Sequence, residues 1–195
     1  KCGQKCTAIR RIFVPENKLE EVQAALTKAL AQTTIGNPLN EKVRMGSLAG
    51  NTQRDEVKSQ VQKLMASSKL IYGSLESVDV IDADKNIGAF ISPILLLNEN
   101  PLTSSEVHDV EAFGPVSTLM PYKNMEEAIE LSKMGKGSLV SSIVTTSAKN
   151  AQEYVLGAGA YHGRILVLNS DCAKESTGHG SPLPLLVHGG PGRAG

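Results

Sequence analysis

The chain has 195 residues, enough for one ordinary domain with a substantial core. Hydrophobic residues make up 41% and charged residues 21% of it, an average soluble composition that argues against disorder. Twenty Lys and Arg side chains balance twenty Asp and Glu, so we expect no electrostatic binding of nucleic acid or of an anionic membrane. Three cysteines do not suggest a disulfide framework, and we expect a reducing, cytoplasmic setting.

Apolar patterns along the chain predict strands alternating with helices. Strands are predicted at residues 8–14, 70–71, 91–97, 116–121, 138–145 and 164–168, and helices at 19–30, 57–65, 125–132 and 148–158. This alternation predicts an α/β fold around a largely parallel sheet. After Asn169 the chain is rich in Gly, Ser, Pro and His, which predicts loops that border a site.

The first chemical candidate is Cys6, which follows Gly3, Gln4 and Lys5 just before a predicted strand. A cysteine nucleophile reacts as the thiolate, which nearby positive charge favours, and Lys5 supplies such charge. Gly3 permits a compact turn that lets a substrate carbonyl approach. By itself, however, a lone cysteine is more often a small buried hydrophobe.

The second candidate is the run Glu111-Ala112-Phe113-Gly114-Pro115. In an extended segment, Glu111 and Phe113 point to the same face. A carboxylate beside an aromatic ring suits a ribose, because the carboxylate accepts from two hydroxyls while the ring packs on the sugar or base. The alternative interpretation is a turn after a solvated acidic stretch.

Taken together and in order, these motifs resemble the aldehyde dehydrogenase superfamily. The residues that carry the resemblance are Gly3-Gln4-x-Cys6, Glu111-x-Phe113-Gly114-Pro115, Gly163-Arg164-Ile165 leading to Asn169, Gly46-Ser47-Leu48 and Gly88-Ala89-Phe90. The resemblance implies the α/β catalytic domain of that family, with Cys6 as the nucleophile and with Glu111 and Phe113 binding the nicotinamide ribose of NADP or NAD. It also implies that the cofactor-binding half, an oxyanion asparagine and a glutamate base all precede the cysteine.

The end of the chain carries a narrower resemblance. The stretch from Lys174 to Pro184, and then from Val187 to Gly195, looks like the dehydrogenase part of the bifunctional ring-opening enzymes of phenylacetate degradation. That resemblance implies oxidation of a CoA-linked semialdehyde to the acid. Asn169, Cys172 and Lys174 would then face the substrate.

Two further functions stay open at this point. One is an acylating dehydrogenase, in which CoA rather than water takes the acyl group. The other is an assembly or oligomerisation module, since this half of the family fold makes subunit contacts, and we expect a homo-oligomer. We expect all 195 residues to be the cysteine-bearing part of a longer polypeptide, inactive alone, without the dinucleotide-binding half or any hydratase domain.

One further cysteine and three histidines are also candidates. Cys2 is more consistent with a structural role than with a resolving thiol. The spacings of His162, His179 and His188 match no zinc pattern, so we expect no metal site.

Overall fold

The computed structural model describes residues 1–172. Its strands are β1 (Arg11–Pro15), β2 (Lys69–Tyr72), β3 (Ile94–Leu97), β4 (Val116–Tyr122), β5 (Ser138–Val144) and β6 (His162–Leu168). Its helices are α1 (Leu19–Ala31), α2 (Asn51–Leu64), α3 (Glu106–Asp109), α4 (Met125–Lys133) and α5 (Ala148–Ala158). The described residues divide into two compact units, one of residues 1–121 and one that begins at Tyr122.

The first unit is built on a four-stranded sheet with the order β1-β4-β3-β2. Strands β3 and β4 pair in parallel, from Ile94 opposite Val116 to Leu97 opposite Leu119. Strand β2 pairs antiparallel to β3 at the edge. A parallel pair of strands beside an antiparallel edge strand is common in α/β folds.

Strand β3 is apolar at every position because both faces of the sheet are covered. Successive strand side chains point to opposite faces. Ile94 and Leu96 pack in one hydrophobic cluster and Leu95 and Leu97 in another. The first cluster contains Val57, Val61 and Leu64 of α2, and the second takes Leu19, Val22, Leu26 and Leu30 of α1.

The second unit contains a two-stranded parallel sheet, with Ser138 opposite His162 and Val144 opposite Leu168. A polar cluster joins this sheet to both of its helices. The hydroxyl of Ser132 on α4 lies 2.9 Å from the Tyr154 hydroxyl and 2.6 Å from Nε2 of His162. On the other side of the ring, Nδ1 of His162 lies 2.6 Å from the Ser138 hydroxyl.

The observed elements confirm the predicted α/β class with mostly parallel pairing. Strand β1 begins three residues later than predicted, at Arg11, and β3 begins at Ile94 rather than Ile91. The second difference follows from Pro93, which has no N–H to offer a sheet. The four-residue helix α3 was not predicted, and it comes just before Glu111.

Candidate active site

The nucleophile candidate lies in a tight turn that comes just before β1. Cys2 and Gly3 both adopt left-handed backbone conformations, with φ of 49° and 69°. The turn is closed by hydrogen bonds from Lys5 N to Gly3 O (2.8 Å) and from Ala8 N to Lys5 O (2.9 Å). Cys6 is exposed at its tip. The Cys6 thiol is therefore accessible in this turn, and its role as the nucleophile stays a prediction.

The backbone N–H of Cys6 is not engaged within residues 1–172. Its neighbours Gln4, Lys5 and Ala8 all donate to backbone carbonyls, whereas no hydrogen bond of the described residues uses this amide. An N–H beside an exposed thiol is placed to donate to an oxygen that becomes negative when the sulfur attacks a carbonyl.

The Cys6 turn packs directly on the second motif. A Cβ atom placed on Gly3 would lie 2.1 Å from the carbonyl oxygen of Gly114 and 2.7 Å from the nitrogen of Pro115. Real Cβ atoms do not approach so closely, so the contact requires glycine at position 3. Two motifs about a hundred residues apart in sequence are thereby brought into contact.

Gly114 in turn packs closely against α2. A Cβ atom at this position would lie 2.8 Å from Cγ2 of Val57, a residue of the core. The Gln4 side chain fixes the turn to the loop ahead of the same helix, because its Oε1 accepts from Ala49 N at 2.8 Å. The Cys6 turn therefore packs on the Gly114 segment, and the Gly114 segment packs on α2.

Glu111 and Phe113 are both exposed, while Ala112 and Gly114 between and after them are buried. This alternation confirms an extended segment that presents Glu111 and Phe113 away from the core. Phe113 is 47% exposed. Within the described residues, no hydrogen bond or ion pair engages the Glu111 carboxylate, so it is free to accept from a ligand's hydroxyl groups. A free carboxylate beside an exposed ring fits a ribose.

Two residues that the sequence did not single out hold this segment in place. Arg10 Nη1 donates to Val110 O and its Nη2 donates to His108 O, both at 3.1 Å. His108 is buried, with Nδ1 3.1 Å from Nη1 of Arg11 and Nε2 2.8 Å from Pro101 O. The available signals, paired arginines in a strand and one histidine, are too common to have identified these contacts.

Cys2 is chemically different from Cys6. Its side chain is 5% exposed and belongs to the main hydrophobic cluster. Burial raises the pKa of the Cys2 thiol to about 11. At neutral pH this thiol is protonated and therefore a poor nucleophile. The structure agrees with a packing role for Cys2.

Asn169 and Cys172 lie together in a turn after β6, in the second unit. Asn169 Oδ1 accepts from the backbone N–H groups of Asp171 and Cys172, both at 3.0 Å. The Cys172 Sγ accepts from Asn169 N at 3.4 Å, and Cys172 is exposed. Asn169 thus has a structural use in this turn, and its part in substrate binding stays a prediction. Lys174 lies outside the described residues.

Residues 1–172 contain no cluster of three or more His, Cys, Asp or Glu side chains that could hold a metal ion. None of the described helices has the length and apolar content needed to cross a bilayer.

Comparison with known proteins identifies the class to which this fold and this site belong. The family described as "Aldehyde dehydrogenase family" matches residues 1–162. The chain belongs to the aldehyde dehydrogenase family, which confirms the resemblance drawn from its motifs.

Two curated relatives share more than a third of their aligned residues with this chain. The chain is 38% identical over 191 residues to 3,4-dehydroadipyl-CoA semialdehyde dehydrogenase of Aromatoleum evansii, covering 98% of this chain and 37% of that protein. It is 48% identical over 153 residues to Protein MaoC of Klebsiella aerogenes, covering 77% and 44%. The chain therefore spans less than half the length of these relatives.

Solved structures of aldehyde dehydrogenases share the fold. Lactaldehyde dehydrogenase from Escherichia coli superposes with a TM-score of 0.74 at 24% identity, over 87% of this chain and 34% of that one. A betaine aldehyde dehydrogenase mutant from Staphylococcus aureus, in complex with NAD+, gives 0.75 at 23% identity, over 85% and 32%. At these identities the likeness concerns the fold alone.

Proposed function

We propose that this chain supplies the nucleophile and part of the cofactor site of an enzyme that oxidises a CoA-linked semialdehyde to the acid with NADP or NAD. The observation that carries the proposal is the contact between the Cys6 turn and the Gly114 segment. It joins an exposed thiol to an exposed, unengaged carboxylate, Glu111, on one packed unit. Family membership supports the same chemistry.

The reaction begins at Cys6. Its thiolate attacks the aldehyde carbon to form a C–S bond, and the carbonyl oxygen of the resulting thiohemiacetal becomes an oxyanion. The free N–H of Cys6 donates to that oxygen. In the family that the chain belongs to, the resemblance implies an asparagine ahead of the cysteine that provides a second donor.

NAD(P), when bound, supplies the hydride acceptor. Loss of hydride from the thiohemiacetal carbon leaves a thioester on Cys6. Water activated by an upstream glutamate then adds to the thioester carbonyl, and the C–S bond breaks to release the acid and the free thiol. The glutamate takes the proton of that water.

The cofactor contacts of this chain are assigned to Glu111 and Phe113. The Glu111 carboxylate accepts from the ribose hydroxyls, and the Phe113 ring packs on the sugar or base. The fit rests on their shared exposed face and on the absence of another partner for Glu111 within the described residues.

A CoA-linked substrate is supported by the 38% identical semialdehyde dehydrogenase, whose name states such a substrate. Such a substrate is long and anionic. We assign Asn169 and Cys172 to the loop that lines the aldehyde and Lys174 to the phosphate-bearing end. The stretch from Lys174 to Pro184 resembles enzymes of phenylacetate degradation, and we place the reaction in that pathway, in a cytoplasmic homo-oligomer.

The test uses the full-length protein with NADP+ and two substrates, a CoA-linked semialdehyde and a short free semialdehyde. NADPH formation is followed by absorbance, and products are separated by mass spectrometry. We expect acid from the CoA-linked substrate, complete loss of activity in Cys6→Ala, and activity retained in the control Glu41→Gln, at an exposed glutamate whose side chain has no hydrogen bond within the described residues. Lys174→Ala should reduce turnover of the CoA-linked substrate selectively.

Each other outcome rejects part of the proposal. A requirement for free CoA, with acyl-CoA as the product, would identify an acylating dehydrogenase. Full activity in Cys6→Ala would reject Cys6 as the nucleophile and favour a role of this chain as an assembly module. Equal losses with both substrates in Lys174→Ala would remove Lys174 from substrate recognition.

A further inference from the structure

Arg10 contacts both ends of the segment that carries Glu111. Its carbonyl oxygen accepts from Thr118 N at 2.9 Å, at the start of β4. Its guanidinium donates to Val110 O and His108 O at the other end. One side chain and its own backbone therefore hold residues 110–118 from both sides. Arg10 is also only four residues from Cys6 in sequence.

His108, whose carbonyl oxygen accepts from Arg10, is itself held by hydrogen bonds at both ring nitrogens. His108 Nδ1 faces Nη1 of Arg11, which can only donate, so Nδ1 is the accepting nitrogen. Nε2 then carries the proton and donates to Pro101 O. In this neutral tautomer, the His108 ring links the C-terminal end of α3 to Arg11 and to Pro101. At the same helix end, Arg10 donates to carbonyl groups that the short helix leaves unsatisfied.

Glu111 has no hydrogen bond of its own within residues 1–172. Its position relative to Cys6 therefore depends on the backbone that carries it, and Val110, the residue before it, is the one that Arg10 binds. On the C-terminal side of Glu111, the contact between Gly3 and Gly114 holds the backbone of the same segment. We propose that Arg10 is a positioning residue that sets the place of the Glu111 carboxylate relative to the Cys6 turn. The inference rests on the proposed function, because it gives Glu111 the cofactor contact.

The variants are chosen to remove the hydrogen bonds of Arg10 and little else. Arg10→Met keeps much of the side-chain length and removes all donors, and Arg10→Lys keeps a single ammonium that can reach one carbonyl. Arg44→Met is the matched control, because Arg44 is exposed and its side chain has no hydrogen bond in the described residues. All are made in the full-length protein.

Three quantities are measured for each variant: the equilibrium Kd for NADP+ by calorimetry without substrate, the rate of Cys6 alkylation, and the melting temperature. Arg10→Met should raise Kd roughly tenfold, at the lower end of the effect of losing a hydrogen bond to a charged group. Cys6 alkylation should change less than about twofold, since the turn keeps its own hydrogen bonds. Arg10→Lys should lie between Arg10→Met and wild type, and Arg44→Met should match wild type.

A double-mutant cycle with Glu111→Gln separates positioning from general destabilisation. If Arg10 acts through Glu111, adding Arg10→Met to Glu111→Gln should raise Kd little further. Independent, multiplied effects of the two substitutions would overturn the positioning role, as would an unchanged Kd in Arg10→Met or a Kd of Arg10→Lys no better than that of Arg10→Met.

The proposed function fails in a recognisably different way. If Glu111→Gln alone leaves Kd unchanged, Glu111 is not a cofactor contact, and the positioning role falls with it. If Glu111→Gln weakens binding while Arg10→Met does not, only the positioning role is rejected.

Discussion

Gly3 and Gly114 approach so closely that a Cβ atom on Gly3 would lie 2.1 Å from the Gly114 carbonyl oxygen. The contact places the turn that bears Cys6 on the segment that bears Glu111 and Phe113. Because Gly3 also has φ of 69°, the position is closed to other residues on two independent grounds. The two parts of the candidate site are therefore held together by the backbone.

Gly3→Ala should destabilise the protein and misplace the site. The left-handed conformation alone costs alanine about 1–2 kcal/mol, and the clash with the Gly114 carbonyl adds to it. Urea unfolding measures the loss. The control is Gly46→Ala, where a Cβ would have an ordinary contact of 3.8 Å with Pro38. Equal stability of Gly3→Ala and Gly46→Ala would show that the turn does not pack on Gly114 as described.

The three thiols should differ in their rates of alkylation. Limiting iodoacetamide at neutral pH, followed by peptide mapping, should label Cys6 first, because it is exposed at the tip of a turn beside Lys5. Cys2 should react last, because burial raises its pKa to about 11. Cys172 is exposed and serves as the internal reference. Preferential labelling of Cys172 over Cys6 would count against Cys6 as the nucleophile.

Stability should fall when the pH falls below about 6.5, the pKa of an unfolded histidine. Burial lowers the pKa of His108, with the hydrogen bond to Pro101 acting in the opposite direction. The unfolded chain then binds this proton more readily than the folded one, so the stabilisation is complete above that pH and is lost as acid protonates the ring. Protonation would also remove the acceptor that faces Arg11.

His108→Gln tests this dependence, because its amide can accept from Arg11 and donate to Pro101 without titrating. Melting temperatures are compared between about pH 8 and about pH 5, the interval in which histidine titrates. The wild type should lose more stability than the variant over this interval. Parallel curves for the two proteins would mean that His108 does not contribute.

Glu111→Gln should weaken cofactor binding more than aldehyde binding. Loss of a charge-assisted hydrogen bond costs on the order of 1.5–3 kcal/mol, or about ten- to a hundredfold in the apparent affinity for NADP+. Steady-state kinetics with each substrate varied in turn separates the two effects. Glu41→Gln is the control, an exposed glutamate whose side chain has no hydrogen bond within the described residues. Unchanged kinetics in Glu111→Gln would remove it from the site.

Much of the fold is predictable from local patterns. The continuous apolar run of β3 and the spacing of Val57, Val61 and Leu64 in α2 directly reflect which faces are buried. Cys6 and Glu111 are candidates from their motifs, but the contact between the Cys6 turn and the Gly114 segment does not follow from either motif alone. Arg10 and His108 could not be identified, because their role depends on contacts between positions 97 to 100 residues apart. No local pattern encodes such a contact.

The most direct measurement of the central claim is the identity of the residue that forms the acyl-enzyme. The full-length protein is mixed with NADP+ and a CoA-linked semialdehyde, quenched in acid while turnover continues, digested and analysed by mass spectrometry. We expect the substrate's acyl mass on the peptide that contains Cys6, formed only when NADP+ is present and absent in Cys6→Ala. An acyl group on Cys172, or undiminished turnover in Cys6→Ala, would contradict it.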